Sequence, residues 1–232
     1  MSQPTSKTPQ HIGYIIDGNR RWAKRHGLPV YEGHLAGYTA LKEVVLETHK
    51  TGVPFVSAYV FSTENWKRDT AEVRKLMRLV LRLVTTDLPE FRKHDVRIIV
   101  AGSREGVDAK IVAAIENAEA VTAANKSGTF VICFNYGGHR EFADAIKKIV
   151  QDGVESDDIT EQLVSGYLYA PEVPPADLIV RTGGDQRISN YMLWRAAYSE
   201  FIFLKKSWPD MTKDDVHSII EEYAKRQRRF GG

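Results

Sequence analysis

The chain of 232 residues has a single cysteine, Cys133, which excludes an internal disulfide and any multi-cysteine zinc site. That cysteine lies in an apolar, strand-like run and reads as a small buried hydrophobe rather than a nucleophile. No apolar stretch approaches the roughly 20 residues that a bilayer-spanning helix needs. The first ten residues, MSQPTSKTPQ, are polar and carry no signal-peptide core, so residues 1–10 are expected to be disordered and the protein cytoplasmic. Charge of one sign is also missing. With 32 basic and 30 acidic residues the formal net charge is +2, too even for a nonspecific nucleic-acid binder. There is no internal repeat, no low-complexity tract and no linker, which leaves one folded domain over residues 11–232.

What is present is an alternation of short apolar runs with longer helical ones. Ile12–Ile16, Phe55–Phe61, Val96–Ala101, Phe130–Phe134, Leu178–Arg181 and Glu200–Leu204 read as strands. Several are continuously apolar, as parallel strands covered on both faces are. Helices are expected over Gly33–Lys50, Asp69–Phe91, Val107–Asn125, Arg140–Gln151, Thr160–Leu168 and Thr212–Arg228. Asp69 with Glu72 three residues on suggests a capping box in acidic form. The fold class is therefore α/β: a single domain with a mainly parallel central sheet of about six strands flanked by helices. Ligands of such sheets bind beyond the carboxyl ends of the strands, at the strand-to-helix junctions.

Four junctions are unusual. The first, Asp17-Gly18-Asn19-Arg20-Arg21-Trp22, joins an apolar strand to a basic, helix-forming segment. Gly18 and the first N–H groups of a helix suit an anion, and Arg20, Arg21 and Lys24 add charge for phosphate oxygens. Asp17 would repel a bare phosphate and makes sense beside Mg²⁺, which favours one or two carboxylates plus phosphate oxygens. Taken alone, this segment reads more simply as a tight turn capping a helix. The junction after the fifth strand shifts the balance: Arg181 and Arg187 flank Gly183-Gly184, with Ser189 close behind. No Lys-Ser/Thr pair follows those glycines, so this is not a Walker-type nucleotide loop. Two phosphate-compatible junctions on one sheet suggest two phosphorylated ligands that meet. The second junction adds Ser62, Glu64, Asn65, Trp66 and Arg68, and His34 stands at the start of the second long helix. Trp66 offers a π face to positive charge, or else a plain packing anchor. The apolar face from Leu76 to Leu88 serves equally as core or as the wall of a hydrocarbon tunnel.

The segments DGNRRWA, GHLAG, FSTENWKR, NYGGHRE, RTGGDQRISNYMLW and RRFGG occur in the order found in the cis-prenyltransferases, the undecaprenyl-diphosphate-synthase-like isoprenyl transferases, and the chain resembles that family from about His11 to Gly232. No DDxxD motif of the trans-prenyltransferases occurs. The resemblance implies Mg²⁺-dependent condensation of isopentenyl diphosphate with an allylic diphosphate, giving a Z double bond and pyrophosphate, with an apolar tunnel for the prenyl chain. Farnesyl diphosphate is the expected starter and undecaprenyl diphosphate the expected product; shorter Z-prenyl products or a non-catalytic partner subunit are the alternatives. The implied roles give Asp17 the metal and diphosphate departure, with Glu200 as a second metal carboxylate. Gly18, Asn19 and Arg21 cradle the allylic diphosphate, with Arg20 and Trp22 beside them. Arg181, Arg187 and Ser189 hold isopentenyl diphosphate, while His34, Ser62, Asn65, Trp66 and Arg68 shape the reacting centre. The family is typically a homodimer, with Arg229 and Gly231 completing the isopentenyl site across the interface. Nucleic acid is not an expected partner, and membrane association is at most peripheral, for product release. One departure stands out. Many members carry an arginine shortly before the Gly-His pair, where this chain has Val30, and Arg20 or Lys24 is expected to compensate.

Overall fold

A computed structural model describes residues 8–226, so Arg229, Gly231 and most of the N-terminal segment lie outside the described residues. The elements run β1 (His11–Ile15), α1 (Asn19–Arg25), α2 (Val30–Lys50), β2 (Phe55–Ser62), α3 (Thr70–Val84), α4 (Leu88–Lys93), β3 (Val96–Ala101), α5 (Ala109–Thr122) and β4 (Gly128–Tyr136). They continue with α6 (Gly138–Gln151), α7 (Glu161–Tyr167), β5 (Leu178–Arg181), β6 (Glu200–Phe203) and α8 (Lys213–Lys225). The six strands form one sheet in the order β3-β4-β2-β1-β5-β6, and every pairing is parallel.

Continuous apolar strands follow from two cores, one on each face. Ile12, Tyr14, Val56, Phe130, Ile132 and Val180 pack with residues of α2, α3, α5 and α8. Ile15, Tyr59, Val131, Cys133 and Ile179 face the irregular segment between α7 and β6, including Val173, Tyr191 and Met192. Cys133 is fully buried, and burial pushes its thiol pKa well up, so it is the inert hydrophobe its setting implied.

Two expected boundaries move for physical reasons. The single helix over Asp69–Phe91 is two helices, α3 and α4, because Pro89 lacks an N–H and its ring clashes with the carbonyl of Thr85. Helix α2 starts at Val30, three residues before the first expected position, directly after Pro29, which stands at its N-cap with ψ 148° and where a missing N–H costs no helical bond. A Cβ at Gly37 would stand 2.3 Å from Asn19 Oδ1, so α1 seats directly on α2 only where side chains are absent. Asp69 does cap α3, accepting from the N–H groups of Ala71 and Glu72. The Glu72 side chain, however, turns toward α2 and His34.

Behind the sheet, His11 is buried between the Pro174 carbonyl, 2.8 Å from Nδ1, and Ser57 Oγ, 2.7 Å from Nε2. Burial lowers its pKa from 6.5 to about 4, so the folded ring is neutral. The unfolded ring takes up a proton below its ordinary value, and folding therefore loses stability as pH falls from 6.5 toward 4. Urea titrations at pH 7 and pH 5 should differ by about 2 kcal/mol from this group alone. His34 and His49, both lowered chiefly by burial, act in the same direction. A His11→Asn variant should show a flatter dependence; an unchanged slope would remove His11 as its source.

Candidate active site

Strand β1 sits at the point where the chain winds one way to β2, β4 and β3 and the other way to β5 and β6. The carboxyl ends of β1, β2 and β5 therefore open a crevice, the usual ligand position in an open parallel sheet. Asp17 stands there, two residues past β1. Its Oδ2 accepts from Arg181 Nη2 at 2.9 Å and pairs with Arg21 Nη2 at 3.0 Å. Its backbone carbonyl accepts from Trp208 N–H at 2.9 Å and from the Thr182 hydroxyl at 2.7 Å, which fixes the turn. Burial works against the charge of Asp17, but the hydrogen bonds from Arg181 and Arg21 outweigh it and hold the carboxyl below its ordinary pKa.

Asp185 completes the cluster. It lies 2.9 Å from Arg187, 3.4 Å from Arg21 and 3.8 Å from Arg181. Three guanidiniums thus share two carboxylates, which leaves a net positive site. The Arg21 Nη1 group also donates to the Gly183 carbonyl at 2.6 Å, tying the first junction to the fifth-strand junction. Gly183 takes φ +87°, and a Cβ there would stand 2.7 Å from Arg21, so only glycine lets the turn and the guanidinium approach. Arg181 is 4% exposed. Its Nη1 donates to the Arg187 carbonyl and to Ser189 Oγ, at 2.5 and 2.8 Å, while its Nε–H is buried without a partner among the described residues.

Two cavities meet at this cluster. The first, of about 850 Å³, takes in Asp17, Gly18, Asn19, Arg20, Arg21 and Lys24, then His34 and Arg68, and continues between α2 and α3 past Tyr38, Leu41, Leu79, Val80 and Leu83. The second, of about 570 Å³, holds Ser62, Glu64, His139, Arg181, Ser189 and Asn190. Asp17, Tyr59, Asn65, Arg68 and Arg187 line both. The Asn65 side-chain Oδ1 accepts from Ser62 N–H at 3.2 Å. Val30 lines the first cavity with Leu28 and Pro29, an apolar stretch where many members carry an arginine, and Arg20 and Lys24 line the same cavity.

His34 Nε2 lies 3.1 Å from Glu72 Oε1, which also accepts from Arg68 at 3.1 Å. Burial lowers the His34 pKa despite that carboxylate, so the ring is neutral at pH 7. Burial also opposes the charge of Glu72, yet His34, Arg68 and Arg20 keep its carboxyl below the ordinary value. Glu72 and Asp185 were not singled out from the sequence. Asp185 could have been, as the one acid between Arg181 and Arg187, whereas Glu72 looked fully explained as a cap.

Three expected residues are not brought to the crevice. The Trp22 indole donates to Asp210 at 2.6 Å and stacks on His26, which pins α1 to the turn at Trp208–Asp210. Trp66 donates to Asn135 at 2.8 Å, packs edge-on against Phe61 and lines neither cavity. Glu200 pairs in register with Leu178 at the opposite end of β5, three residues and roughly 10 Å along the strand from the level of Arg181. There it accepts from Arg226 at 2.9 Å, so the chain does not unite it with Asp17. Val131 on β4 faces the other core, away from the first cavity.

Among the described residues no cluster of three or more His, Cys, Asp or Glu side chains could enclose a metal ion. The donor set nonetheless fits Mg²⁺, which binds through one or two carboxylates with substrate phosphates and waters. No helix among the described residues is long and apolar enough to cross a membrane.

A single-domain parallel α/β fold that gathers three guanidiniums around Asp17 and Asp185 at the carboxyl ends of its strands suits an anionic ligand. The family described as "Putative undecaprenyl diphosphate synthase" matches residues 15–231. The isoprenyl transferase of Thermotoga maritima is 43% identical over 228 residues, covering 97% of this chain and 98% of that one. The trans,polycis-polyprenyl diphosphate synthase ((2Z,6E)-farnesyl diphosphate specific) of Thermobifida fusca is 40% identical over 233 residues, covering 99% and 83%. Among solved structures, lavandulyl diphosphate synthase from Lavandula x intermedia in complex with dimethylallyl diphosphate superposes with a TM-score of 0.93 at 31% identity, covering 97% of this chain and 99% of that one. The chain belongs to the undecaprenyl diphosphate synthase family of isoprenyl transferases, and is a prenyltransferase.

Proposed function

We propose that the protein condenses isopentenyl diphosphate with an allylic diphosphate, farnesyl diphosphate in the first instance, and repeats the step to a Z-polyprenyl diphosphate of undecaprenyl length. The observation that carries this reading is the pair of cavities sharing Asp17, Asn65, Arg68 and Arg187. The first offers cations at its mouth and an apolar interior, as an allylic diphosphate requires; the second is short and polar, as a five-carbon diphosphate requires. The relatives named for polyprenyl and lavandulyl diphosphates, one of them seen with dimethylallyl diphosphate, support the same substrate class.

In this scheme Gly18, Asn19, Arg20 and Arg21 bind the allylic diphosphate, while Arg181, Arg187 and Ser189 bind isopentenyl diphosphate. Holding both ligands at one carboxylate supplies the orientation that a bimolecular C–C bond formation needs. The allylic C–O bond breaks with its electron pair leaving on pyrophosphate, and guanidiniums and helix-end N–H groups stabilise that charge. Mg²⁺, held by Asp17 and diphosphate oxygens, would supply further charge neutralisation. The double bond of isopentenyl diphosphate closes on the allylic carbon, and a proton leaves to Asp17, the released diphosphate or the Ser62–Asn65 pair. His34, Glu72 and Arg68 bridge α2 to α3 over the reacting centre. The protein acts as a cytoplasmic homodimer in this reading, a state favoured by the exposed Ile146 and Val150 one turn apart on α6.

A shorter product is the second reading. A cavity of about 850 Å³ is near the upper end of small-ligand sites, roughly 300–1,000 Å³, and is small for a 55-carbon chain. Purified protein incubated with farnesyl diphosphate and labelled isopentenyl diphosphate, with Mg²⁺ or with EDTA, decides both points. A Mg²⁺-dependent ladder of extracted polyprenols is expected, and its longest band gives the product. No elongation, even from geranyl or dimethylallyl starters, would leave the partner-subunit alternative. Val60 lines the cavity between Tyr59 and Phe61, so Val60→Ala should shift the ladder toward longer products by about one or two five-carbon units. An unchanged ladder would take Val60 out of length control.

A further inference from the structure

The first cavity follows the seam between α2 and α3, and a polar cluster lies just beyond the last residues that line it. His34 faces Glu72 near the mouth. On the same stripe of α2, four and eight residues further on, stand Tyr38 and Lys42. Tyr38 is buried and lines the cavity, yet its hydroxyl has no hydrogen-bond partner among the described residues. Two cations attend its ring: Lys42 Nζ lies 5.9 Å and Arg82 Cζ 5.3 Å from the centroid. Lys42 is held in turn by Asp87 and Glu90, each at 3.1 Å. The last residues of α2 and α3 to line the cavity are Leu41 and Leu83; of the cluster only Tyr38 lines it, with Lys42 and Arg82 on its ring and Asp87 on Lys42, just outside the lining.

An apolar plug would be the cheaper way to end a hydrocarbon pocket. Here the Tyr38 hydroxyl and Asp87 Oδ2 are both buried and unpartnered among the described residues, which costs free energy that an apolar pair at the same place would not. We infer that Tyr38, Lys42, Arg82 and Asp87 form a polar floor that halts the growing hydrocarbon chain and so sets product length. The inference rests on the elongation reading given above. Each condensation pushes the far end of the chain one five-carbon unit deeper along the apolar wall. At the floor, further growth has to part Lys42 from Asp87 or strip the cations from the Tyr38 ring, leaving charge against hydrocarbon. A steric stop such as Val60 yields only to a smaller side chain. A polar stop also yields to an apolar side chain of equal bulk.

That difference supplies the test. Lys42→Met combined with Asp87→Leu keeps the bulk and removes both charges of the buried pair, leaving only the exposed Glu90 carboxylate, which water can solvate. The longest product should grow by one or more five-carbon units, while KM for farnesyl diphosphate stays within about twofold because the mouth is untouched. Tyr38→Leu, which removes the ring on which the cations rest, should move the ladder in the same direction. If the double variant fails to fold, as judged by its circular dichroism, Tyr38→Leu and Lys42→Gln carry the same readout. Folded variants that reproduce the parent's ladder overturn the inference and leave the elongation reading intact. A parent that elongates nothing overturns both.

Discussion

Asp17→Ala should lower kcat by about a thousandfold while leaving KM for both diphosphates unchanged or smaller. The magnitude is that of removing one preorganised electrostatic group from a reacting centre, about 10²–10³ in rate, with the loss of the carboxylate proposed to hold Mg²⁺ added to it. The split between kcat and KM follows from charge. Asp17 is a negative group inside a site for anions, flanked by Arg181 at 2.9 Å and Arg21 at 3.0 Å. Its removal frees those guanidiniums for phosphate, so ground-state binding does not suffer, while stabilisation of the departing charge does. Because its carboxyl is held below the ordinary pKa, the residue is ionised throughout the neutral range and an acid limb near pH 6 belongs to another group. Steady-state kinetics on Asp17→Ala and Asp17→Asn give the answer directly. A rise in KM at unchanged kcat would make Asp17 a mere positioning group.

Arg195→Met should be the most destabilising single change, by about 3–5 kcal/mol, because it strands a buried carboxylate. Arg195 is 4% exposed and Glu141 1%, and their ion pair is 2.9 Å long. Glu141 also accepts from the Tyr136 hydroxyl at 2.5 Å and from Tyr169 N–H at 3.1 Å. Arg195 further donates to the carbonyls of Val173, Tyr169 and Ala170. The pair therefore ties α6 to the irregular segment that carries Ser189. For a chain of this size the melting temperature should fall by roughly 10–15 °C. Glu141→Leu added to Arg195→Met should recover part of the loss, since the stranded charge is then gone. A single variant melting within a few degrees of the parent would mean that water reaches Glu141.

Much of this architecture could be read from local pattern. Strand-length apolar runs such as Val96–Ala101 and Leu178–Arg181 coincide with β3 and β5, and their lack of alternation announced cover on both faces. The junction residues were equally legible, because Asp17, Arg21, Arg181 and Ser189 carry their chemistry in their side-chain types. What local pattern could not supply was direction. Trp22 and Trp66 are aromatic residues inside functional motifs, yet their indole N–H groups are satisfied by Asp210 and Asn135, partners 188 and 69 positions away. Glu200 sits where the pairing of β6 with β5 puts it, and register is a long-range property. Glu72 had an adequate local explanation as the second half of a capping box, which hid its meeting with His34 across 38 positions.

The central place of β1 bears on how the protein is made. This strand leads the chain, but one of its two neighbours, β5, begins only at Leu178. Asp17 and Arg181 are 164 positions apart in the chain. During synthesis β1 can pair with β2 early, while its other edge stays open until three-quarters of the chain has followed. Such late, non-local pairing makes for slow folding and leaves an unpaired apolar edge open to other chains meanwhile. The cluster of Asp17, Arg21 and Arg181 is thus among the last parts to form, and a nascent or truncated chain lacks that arrangement of charges until the domain is whole.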